Sequence, residues 1–140
     1  MGLGLLADGK WVSERNQEDA QGKFIRPSTT FRNQITADNS SGFKAESGRY
    51  HLYISWACPW AHRTAIMRKL KGLEDAIGLS VVHPEIYHNG WVFSDEPGCI
   101  LDSINHASYL WEIYLKADAD YSGRVTVPVL WDKQTGTIVN

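Results

Sequence analysis

The amino-acid sequence predicts an α/β domain whose elements follow the order strand, helix, strand, helix, strand, strand. Two observations support this class. From residue 49 onward, short apolar runs alternate with segments whose apolar positions recur with helical spacing. Connections through a helix favour a parallel strand pair, whereas the short turn before the last strand favours an antiparallel pair. We therefore predict one mixed sheet within residues 49–140.

Residues 1–48 are predicted to form an irregular N-terminal arm. This part is rich in Gly, Ser, Asn, Asp and Gln and shows no sustained helical or alternating pattern. Irregular segments of this length are uncommon within a domain unless they are functional, so we expect the arm to lie over the domain or against a partner chain. Its expected anchors are the scattered apolar residues Trp11, Phe24, Ile25, Phe31 and Ile35.

The first strand is predicted at residues 50–54, the first helix at 59–71 and the second strand at 79–83. Pro59 suits the first helical position, because the N–H that proline lacks would have no partner there, and Gly72 is typical of a helix end. The helix is expected to turn its apolar residues inward, onto the sheet: Ala65, Ile66, Met67 and Leu70.

A second helix is predicted near residues 103–117, and a hairpin follows with strands at 127–132 and 137–139. This βαβαββ order is that of a thioredoxin-like domain without its final helix. A sheet that ends at Asn140 would leave one face without a covering helix, so we expect the chain to be a fragment. The apolar positions of the second helix suit packing on the sheet: Ile104, Ala107, Tyr109, Leu110, Trp111, Ile113 and Tyr114.

Cys58 is the predicted chemical centre, because it stands where the first strand gives way to the first helix. A sulfur at a helix N-terminus lies beside unpaired N–H groups and the positive end of the helix dipole, which favour the thiolate. Ala61 occupies the place of the second cysteine in a Cys-x-x-Cys pair. A small thiol such as glutathione would therefore have to resolve any mixed disulfide on Cys58.

Composition and charge exclude several other classes. The chain is 43% hydrophobic and 21% charged, which is typical of a globular protein, and its formal charge of −2 provides no broad basic surface for nucleic acid. No apolar run approaches the roughly 20 residues that span a membrane, and the start of the chain lacks a secretory signal. We expect a cytoplasmic protein with two free thiols, Cys58 and Cys99, and a small-molecule partner.

Other candidate residues are assigned structural roles. Trp56, Trp60 and Trp111 are expected to pack within the domain, and His62 is expected to lie outside the catalytic machinery. No metal is expected, because the spacing of the remaining histidines and cysteine fits no zinc pattern: His83, His88, Cys99 and His106.

Three segments resemble the glutathionyl-hydroquinone reductases, the Xi class of omega-like glutathione transferases, and the resemblance covers nearly the whole chain. These segments are Cys-Pro-Trp-Ala-His-Arg at 58–63, Asn-Gly-Trp at 89–91 and Ser-Gly-Arg-Val-Thr-Val-Pro-Val-Leu-Trp-Asp at 122–132. In that family a thioredoxin-like domain is followed by an all-helical domain, and the protein is a homodimer. The helical domain, and the Glu-Ser pair expected after the last strand, have no counterpart in residues 1–140.

The resemblance implies a role for each matching residue. Cys58 would be the nucleophile and Trp91 would pack against glutathione. The segment Arg124, Val125, Thr126 and Val127 would provide side-chain and backbone contacts to the tripeptide. Pro128 would follow a cis peptide bond, which exposes the Val127 N–H and C=O to the cysteinyl backbone of glutathione.

The implied reaction reduces glutathionyl-hydroquinones to hydroquinones through a Cys58–glutathione disulfide, with glutathione as co-substrate. The groups that protonate the leaving carbon are expected in the helical domain. Two alternatives stay open. One is a glutaredoxin-like thiol transferase or dehydroascorbate reductase, which needs the same thiolate but another acceptor pocket. The other is a non-catalytic truncated fragment that binds glutathione or a partner chain.

Overall fold

The computed structural model describes residues 4–13, 20–23, 25 and 28–140. It contains six strands and two helices within these residues: β1 (Leu5–Ala7), β2 (Lys10–Val12), β3 (Tyr50–Ile54), α1 (Pro59–Leu70), β4 (Ile77–Val81), α2 (Leu110–Ala117), β5 (Val129–Asp132) and β6 (Thr137–Ile138). None of the helices in the described part of the chain is long and apolar enough to cross a membrane. The predicted thioredoxin-like fold class is confirmed.

Strands β3 to β6 form one mixed sheet in the order β4-β3-β5-β6. β3 pairs with β4 in parallel, and β5 runs antiparallel to both β3 and β6. β3 is buried along its whole length, as expected for a central strand. The carboxyl end of β3 leads directly to Cys58, so the most protected strand of the domain positions the start of α1.

The two faces of the sheet are covered to different extents. On one face, α2 buries Leu110, Ile113 and Tyr114. On the other face, α1 buries only Ala61 fully. The predicted burial of the α1 apolar residues is therefore wrong for Ile66 (44% exposed), Met67 (50%) and Leu70 (74%). Ala61 and the half-buried Ala65 are the α1 residues that pack in the core, whereas Met67 lines an open cavity over the sheet and stays accessible.

An open apolar cavity of about 720 Å³ lies beside α1 on this less covered face. Leu52, Leu130 and Ile77 form its floor, and Met67 and Trp60 of α1 form one side. Leu52 and Leu130 are paired in the sheet register, so their side chains share one face. The predicted uncovered sheet face is thus present in the structure.

Several predicted boundaries differ from the observed ones. β5 begins at Val129 and not at residue 127, whereas α1 and β6 each end one residue earlier than predicted, at Leu70 and Ile138. β4 begins at Ile77, two residues before the predicted strand, and ends at Val81. α2 begins at Leu110 and not near residue 103. The carboxylate of the buried Asp102 accepts the N–H groups of Ile104, Asn105 and Ala107, and this local turn competes with helix formation.

The described part of the arm is irregular apart from a short hairpin, β1–β2, that the sequence pattern did not predict. Two of its expected anchors, Trp11 and Phe31, pack against the core, and Ile35 lines an apolar cavity. Ile25 is 50% exposed, so its side chain is only partly covered, whereas Phe24 lies outside the described residues. The end of the arm is joined to the sheet through Arg49, whose Nε and Nη2 donate to the buried carboxylate of Asp132 at 2.9 and 2.6 Å.

Candidate active site

Cys58 is the N-cap residue of α1, and Pro59 is the first helical residue, as predicted. Local hydrogen bonds define this junction. The Cys58 N–H donates to the Ser55 carbonyl at 3.1 Å, and the Cys58 carbonyl accepts the His62 N–H at 2.9 Å. The sulfur is half-buried and is not disulfide-bonded. The chain between Ser55 and His62 therefore holds the thiol at the start of the helix, where the backbone N–H groups favour negative charge.

The cis-proline segment lies directly opposite the sulfur. The Cys58 Sγ is 3.6 Å from the Val127 carbonyl oxygen, in the geometry of a thiol that donates to it. The Val127–Pro128 peptide bond is cis, in agreement with the expectation from the resemblance. Among the described residues, the Val127 N–H finds no acceptor. Val127 thus presents a carbonyl next to Cys58 and an N–H that no described residue engages.

The predicted site residues other than Pro128 line one cavity of about 540 Å³. Pro128 lines the neighbouring apolar cavity on the open sheet face. Val125 and Val127 are buried, whereas Thr126 is exposed. The cavity is lined by Cys58, Trp91, Arg124, Val125, Thr126 and Val127, together with Ala57, Pro59, Trp60 and Ile86. The structure therefore brings together residues from three distant parts of the chain.

Two tyrosine hydroxyls hold the segment 124–127 from behind. The Tyr114 hydroxyl donates to the Thr126 carbonyl at 2.9 Å and accepts the Thr126 N–H at 3.3 Å. The Tyr121 hydroxyl donates to the Arg124 carbonyl at 3.0 Å. Burial raises the pKa of Tyr114, and it raises the pKa of Tyr121 to about 12, so both hydroxyls keep their protons near neutral pH.

The sequence pattern did not reveal these tyrosines as site residues. Tyr114 was expected only to pack on the sheet, which it also does, and Tyr121 carried no signal. The position of Tyr114 on the apolar face of a helix could have indicated such a role, because a buried hydroxyl needs a hydrogen-bond partner. Ile86, in an irregular loop, offered no such hint.

The Trp91 loop is fixed by backbone hydrogen bonds on both sides. The Leu110 N–H donates to the Trp91 carbonyl at 3.0 Å, and the His83 N–H donates to the Val92 carbonyl at 2.8 Å. These bonds connect the loop to the start of α2 and to the residues after β4. The half-buried Trp91 ring thus reaches the cavity from a loop with defined anchors.

The expectation that Trp56 and Trp60 pack within the domain is wrong. Trp60 is 64% exposed and Trp56 is 49% exposed. Trp60 lies between the two cavities, with the Arg63 guanidinium 4.5 Å from its ring centroid. Trp60 is exposed because both cavities that it lines are open to solvent. Trp111, in contrast, packs against the core and stacks on Tyr109 at a centroid distance of 5.7 Å.

The histidines contribute no metal centre in the described residues, where no group of three or more His, Cys, Asp and Glu side chains is arranged to hold an ion. His83 contacts Glu96 at 3.3 Å. His62 is exposed, and its ring meets the edge of Trp56 at a centroid distance of 6.1 Å. His62 does not line the cavity around Cys58.

Residues 57–140 match the family described as "Glutathione S-transferase, N-terminal domain". This chain belongs to the glutathione S-transferase family. The matched region begins next to Cys58 and includes every predicted site residue. The part of the chain before residue 57, which includes the arm, lies outside this family match.

Curated relatives support a narrower assignment within the transferases. The chain is 52% identical over 146 residues to glutathionyl-hydroquinone reductase YqjG of Escherichia coli (strain K12), covering 99% of the chain and 44% of the relative. It is 46% identical over 139 residues to glutathionyl-hydroquinone reductase PcpF of Sphingobium chlorophenolicum, covering 99% and 43%. The chain thus spans less than half the length of these relatives.

Solved structures agree with the sequence relatives. A Xi class GST from Natrialba magadii matches with a TM-score of 0.86 and 47% identity, covering 99% of this chain and 41% of that one. The glutathione-bound structure of YqjG from Escherichia coli K-12 matches with a TM-score of 0.83 and 50% identity, covering 98% and 41%. The resemblance to the N-terminal portion of Xi-class transferases is therefore confirmed.

Proposed function

We propose that the protein reduces glutathionyl-hydroquinones to hydroquinones, with glutathione as co-substrate and a Cys58–glutathione disulfide as intermediate. One observation carries the proposal: a single half-buried cysteine at a helix start opens into the cavity that Trp91 and the segment 124–127 also line. The 52% identity to a glutathionyl-hydroquinone reductase supports the substrate class. The glutathione-bound state of the Escherichia coli relative supports the co-substrate.

Glutathione is proposed to bind as an extended peptide along the cis-proline segment. The Val127 N–H and C=O would pair with its cysteinyl residue, in the manner of an added strand. The glutathione sulfur would then lie near Cys58 Sγ, which is 3.6 Å from the Val127 carbonyl. Arg124 would attract a carboxylate of the tripeptide, and the Trp91 ring would cover an apolar part of it.

The proposed chemistry consists of two displacements at sulfur. The Cys58 thiolate attacks the sulfur that joins glutathione to the ring, so that an S–S bond forms and a C–S bond breaks. The electron pair of the broken bond goes to the ring carbon, which takes up a proton through a ring tautomer. A second glutathione thiolate attacks the mixed disulfide, which releases oxidised glutathione and restores the Cys58 thiolate.

Thiol transfer is the second candidate, because the same single cysteine beside Ala61 would serve a glutaredoxin-like enzyme or a dehydroascorbate reductase. Such enzymes need no aromatic acceptor pocket. The exposed Trp60 beside the cavity favours the aromatic substrate. A non-catalytic role in glutathione binding would leave Cys58 without a covalent intermediate.

A cytoplasmic location and a dimer of the whole protein remain predictions, and light scattering during size-exclusion chromatography tests the dimer.

The test incubates the purified protein with a glutathionyl-hydroquinone in the absence of free glutathione and measures intact mass. One glutathione-sized increment that is absent in Cys58→Ser, together with released hydroquinone, supports the reductase. A folded protein that forms no adduct and releases no hydroquinone contradicts it. Parallel incubations with a glutathionylated peptide and with dehydroascorbate distinguish the thiol-transfer candidate.

A further inference from the structure

The hairpin β1–β2 of the arm pairs with the segment that leads into Arg124. Leu6 and Gly123 exchange two backbone hydrogen bonds of 2.9 and 2.8 Å. Leu6 has no exposed surface, so this pairing belongs to the core. Two further bonds connect the hairpin turn to the same segment: Asp8 N–H to Ser122 Oγ at 2.7 Å and Gly9 N–H to the Tyr121 carbonyl at 3.2 Å.

The same hairpin contacts the loop that carries Trp91. The Trp11 ring stacks on Trp111 at a centroid distance of 6.3 Å, and its Nε1–H donates to the His88 carbonyl at 3.4 Å. Trp11 also lies so close to Gly90 that a Cβ at that position would be 2.7 Å from the ring. Gly90 has a φ of 80°, which glycine adopts without strain.

The hairpin therefore contacts the residue that immediately precedes each of two proposed glutathione ligands. Gly90 precedes Trp91, and Gly123 precedes Arg124. Each of these segments is a loop, and a loop needs tertiary contacts to keep a defined position. We infer that the hairpin of residues 4–13 positions both loops at the glutathione site, with Trp11 as the main positioning residue.

This inference rests on the proposed function, because it assigns Trp91 and Arg124 to glutathione. It predicts that the hairpin affects glutathione affinity and not the accessibility of the sulfur. The Cys58 backbone is held by bonds within residues 55–62, its Sγ donates to the Val127 carbonyl in the segment 124–127, and none of the described hairpin residues lines its cavity. A misplacement of about 1 Å caused by a distant substitution can lower a reaction rate about a hundredfold, and we expect a smaller loss of glutathione affinity when the two loops are displaced.

The experiment measures glutathione binding by calorimetry in a Cys58→Ser background, where no disulfide forms. Trp11→Ala is expected to weaken the affinity for glutathione about tenfold. In the protein with Cys58 intact, the alkylation rate of Cys58 by iodoacetamide is expected to stay within about twofold of its original value. Trp11→Phe, which retains an aromatic ring, is expected to restore most of the affinity. Phe43→Ala, the loss of another half-buried aromatic side chain of the arm, is the matched control and is expected to bind normally.

The outcomes separate this inference from the proposed function. If the Cys58→Ser protein fails to bind glutathione, the proposed function fails. If it binds and a folded Trp11→Ala protein binds equally well, the positioning role is overturned. If Trp11→Ala does not fold, Ser122→Ala tests the inference instead. Ser122 is exposed, so its substitution should be tolerated, and its hydroxyl accepts the Asp8 N–H of the hairpin. An affinity about two- to threefold lower in that variant supports the inference, and an unchanged affinity overturns it.

Discussion

The two walls of the cavity around Cys58 are built in different ways. The sulfur wall consists of consecutive residues, and hydrogen bonds between neighbours in the chain hold it from Ser55 to His62. The facing wall combines Trp91 with the segment 124–127, and its supports are Tyr114, Tyr121 and the arm hairpin. The sulfur wall is thus local in sequence, whereas the facing wall depends on tertiary contacts.

This difference separates two properties of the site. The proposed nucleophile needs only a strand end, a helix start and a proline at the first helical position. The binding of a tripeptide needs several loops at a defined separation, and each loop must be held from behind. Substitutions in the sulfur wall should therefore change chemistry, and substitutions behind the facing wall should change affinity.

The largest expected effect comes from the sulfur wall. Cys58→Ser is expected to abolish the mixed disulfide and to lower turnover by at least about a thousandfold, because serine is a far weaker nucleophile toward sulfur. Intact mass and a steady-state assay measure this. Cys99→Ser is the control and should keep both the adduct and turnover. An adduct that survives in Cys58→Ser would place the chemistry elsewhere.

The next effect concerns a ligand in the facing wall. Arg124→Ala is expected to weaken glutathione affinity roughly tenfold or more, because a charge-assisted hydrogen bond to a carboxylate is lost. Calorimetry in the Cys58→Ser background measures it, while Cys58 alkylation should remain unchanged. Arg32→Ala removes an exposed arginine of the arm and should bind normally. Equal losses in the two variants would indicate a general charge effect.

A smaller effect is expected from the support behind that wall. Tyr114→Phe removes both hydrogen bonds to Thr126 and should weaken glutathione affinity about fivefold. Tyr50→Phe is the matched control, since its buried hydroxyl donates to the Lys44 carbonyl at 2.7 Å, away from the cavity. Both variants should lose about 1 kcal/mol of stability in denaturant titrations. If Tyr50→Phe lowers the glutathione affinity as much as Tyr114→Phe does, the specific role of Tyr114 behind the facing wall is contradicted.

The smallest effect on activity is expected for His51, in the strand that leads to the sulfur wall. Its substitution should leave activity at neutral pH unchanged and alter only how stability depends on pH. Burial lowers the pKa of His51, in β3, to about 4. The unfolded chain takes up a proton near pH 6.5, so stability is complete above that pH and is lost as the pH falls toward 4, by about 3 kcal/mol in total. Denaturant titrations between pH 7 and 4 measure the loss.

His51→Gln should flatten this acid dependence, because the glutamine does not titrate and can still meet Ser80 Oγ, which is 2.8 Å from His51 Nε2. His88→Ala, a substitution in an exposed loop, should leave the dependence as it is. The buried Asp132 titrates in a lower range: burial raises its pKa, but hydrogen bonds from Arg49 and Thr135 outweigh this and lower it to about 2. An unchanged slope in His51→Gln would assign the acid sensitivity to another group.

The sequence pattern was most successful where structure is local. It predicted the bounds of β3, the start of α1 at Pro59 and the hairpin of β5 and β6. It failed at α2, where the Asp102 carboxylate binds three N–H groups and delays the helix to Leu110. It also failed on the exposed side of α1, because periodicity alone does not tell which edge of a helix meets the sheet.

The sequence by itself determined the fold class and the position of the proposed nucleophile. Cys58, Pro59 and Ala61 act through chain neighbours, so their order specifies a single thiol at a helix start. Only the tertiary structure decided how the facing wall is held. The bond between Asp8 and Ser122 joins residues 114 positions apart, and no local pattern encodes which distant partners meet. Such contacts form only when the sheet and α2 have brought the segments together, and for this reason the roles of Trp11, Tyr114 and Tyr121 became visible in the folded molecule.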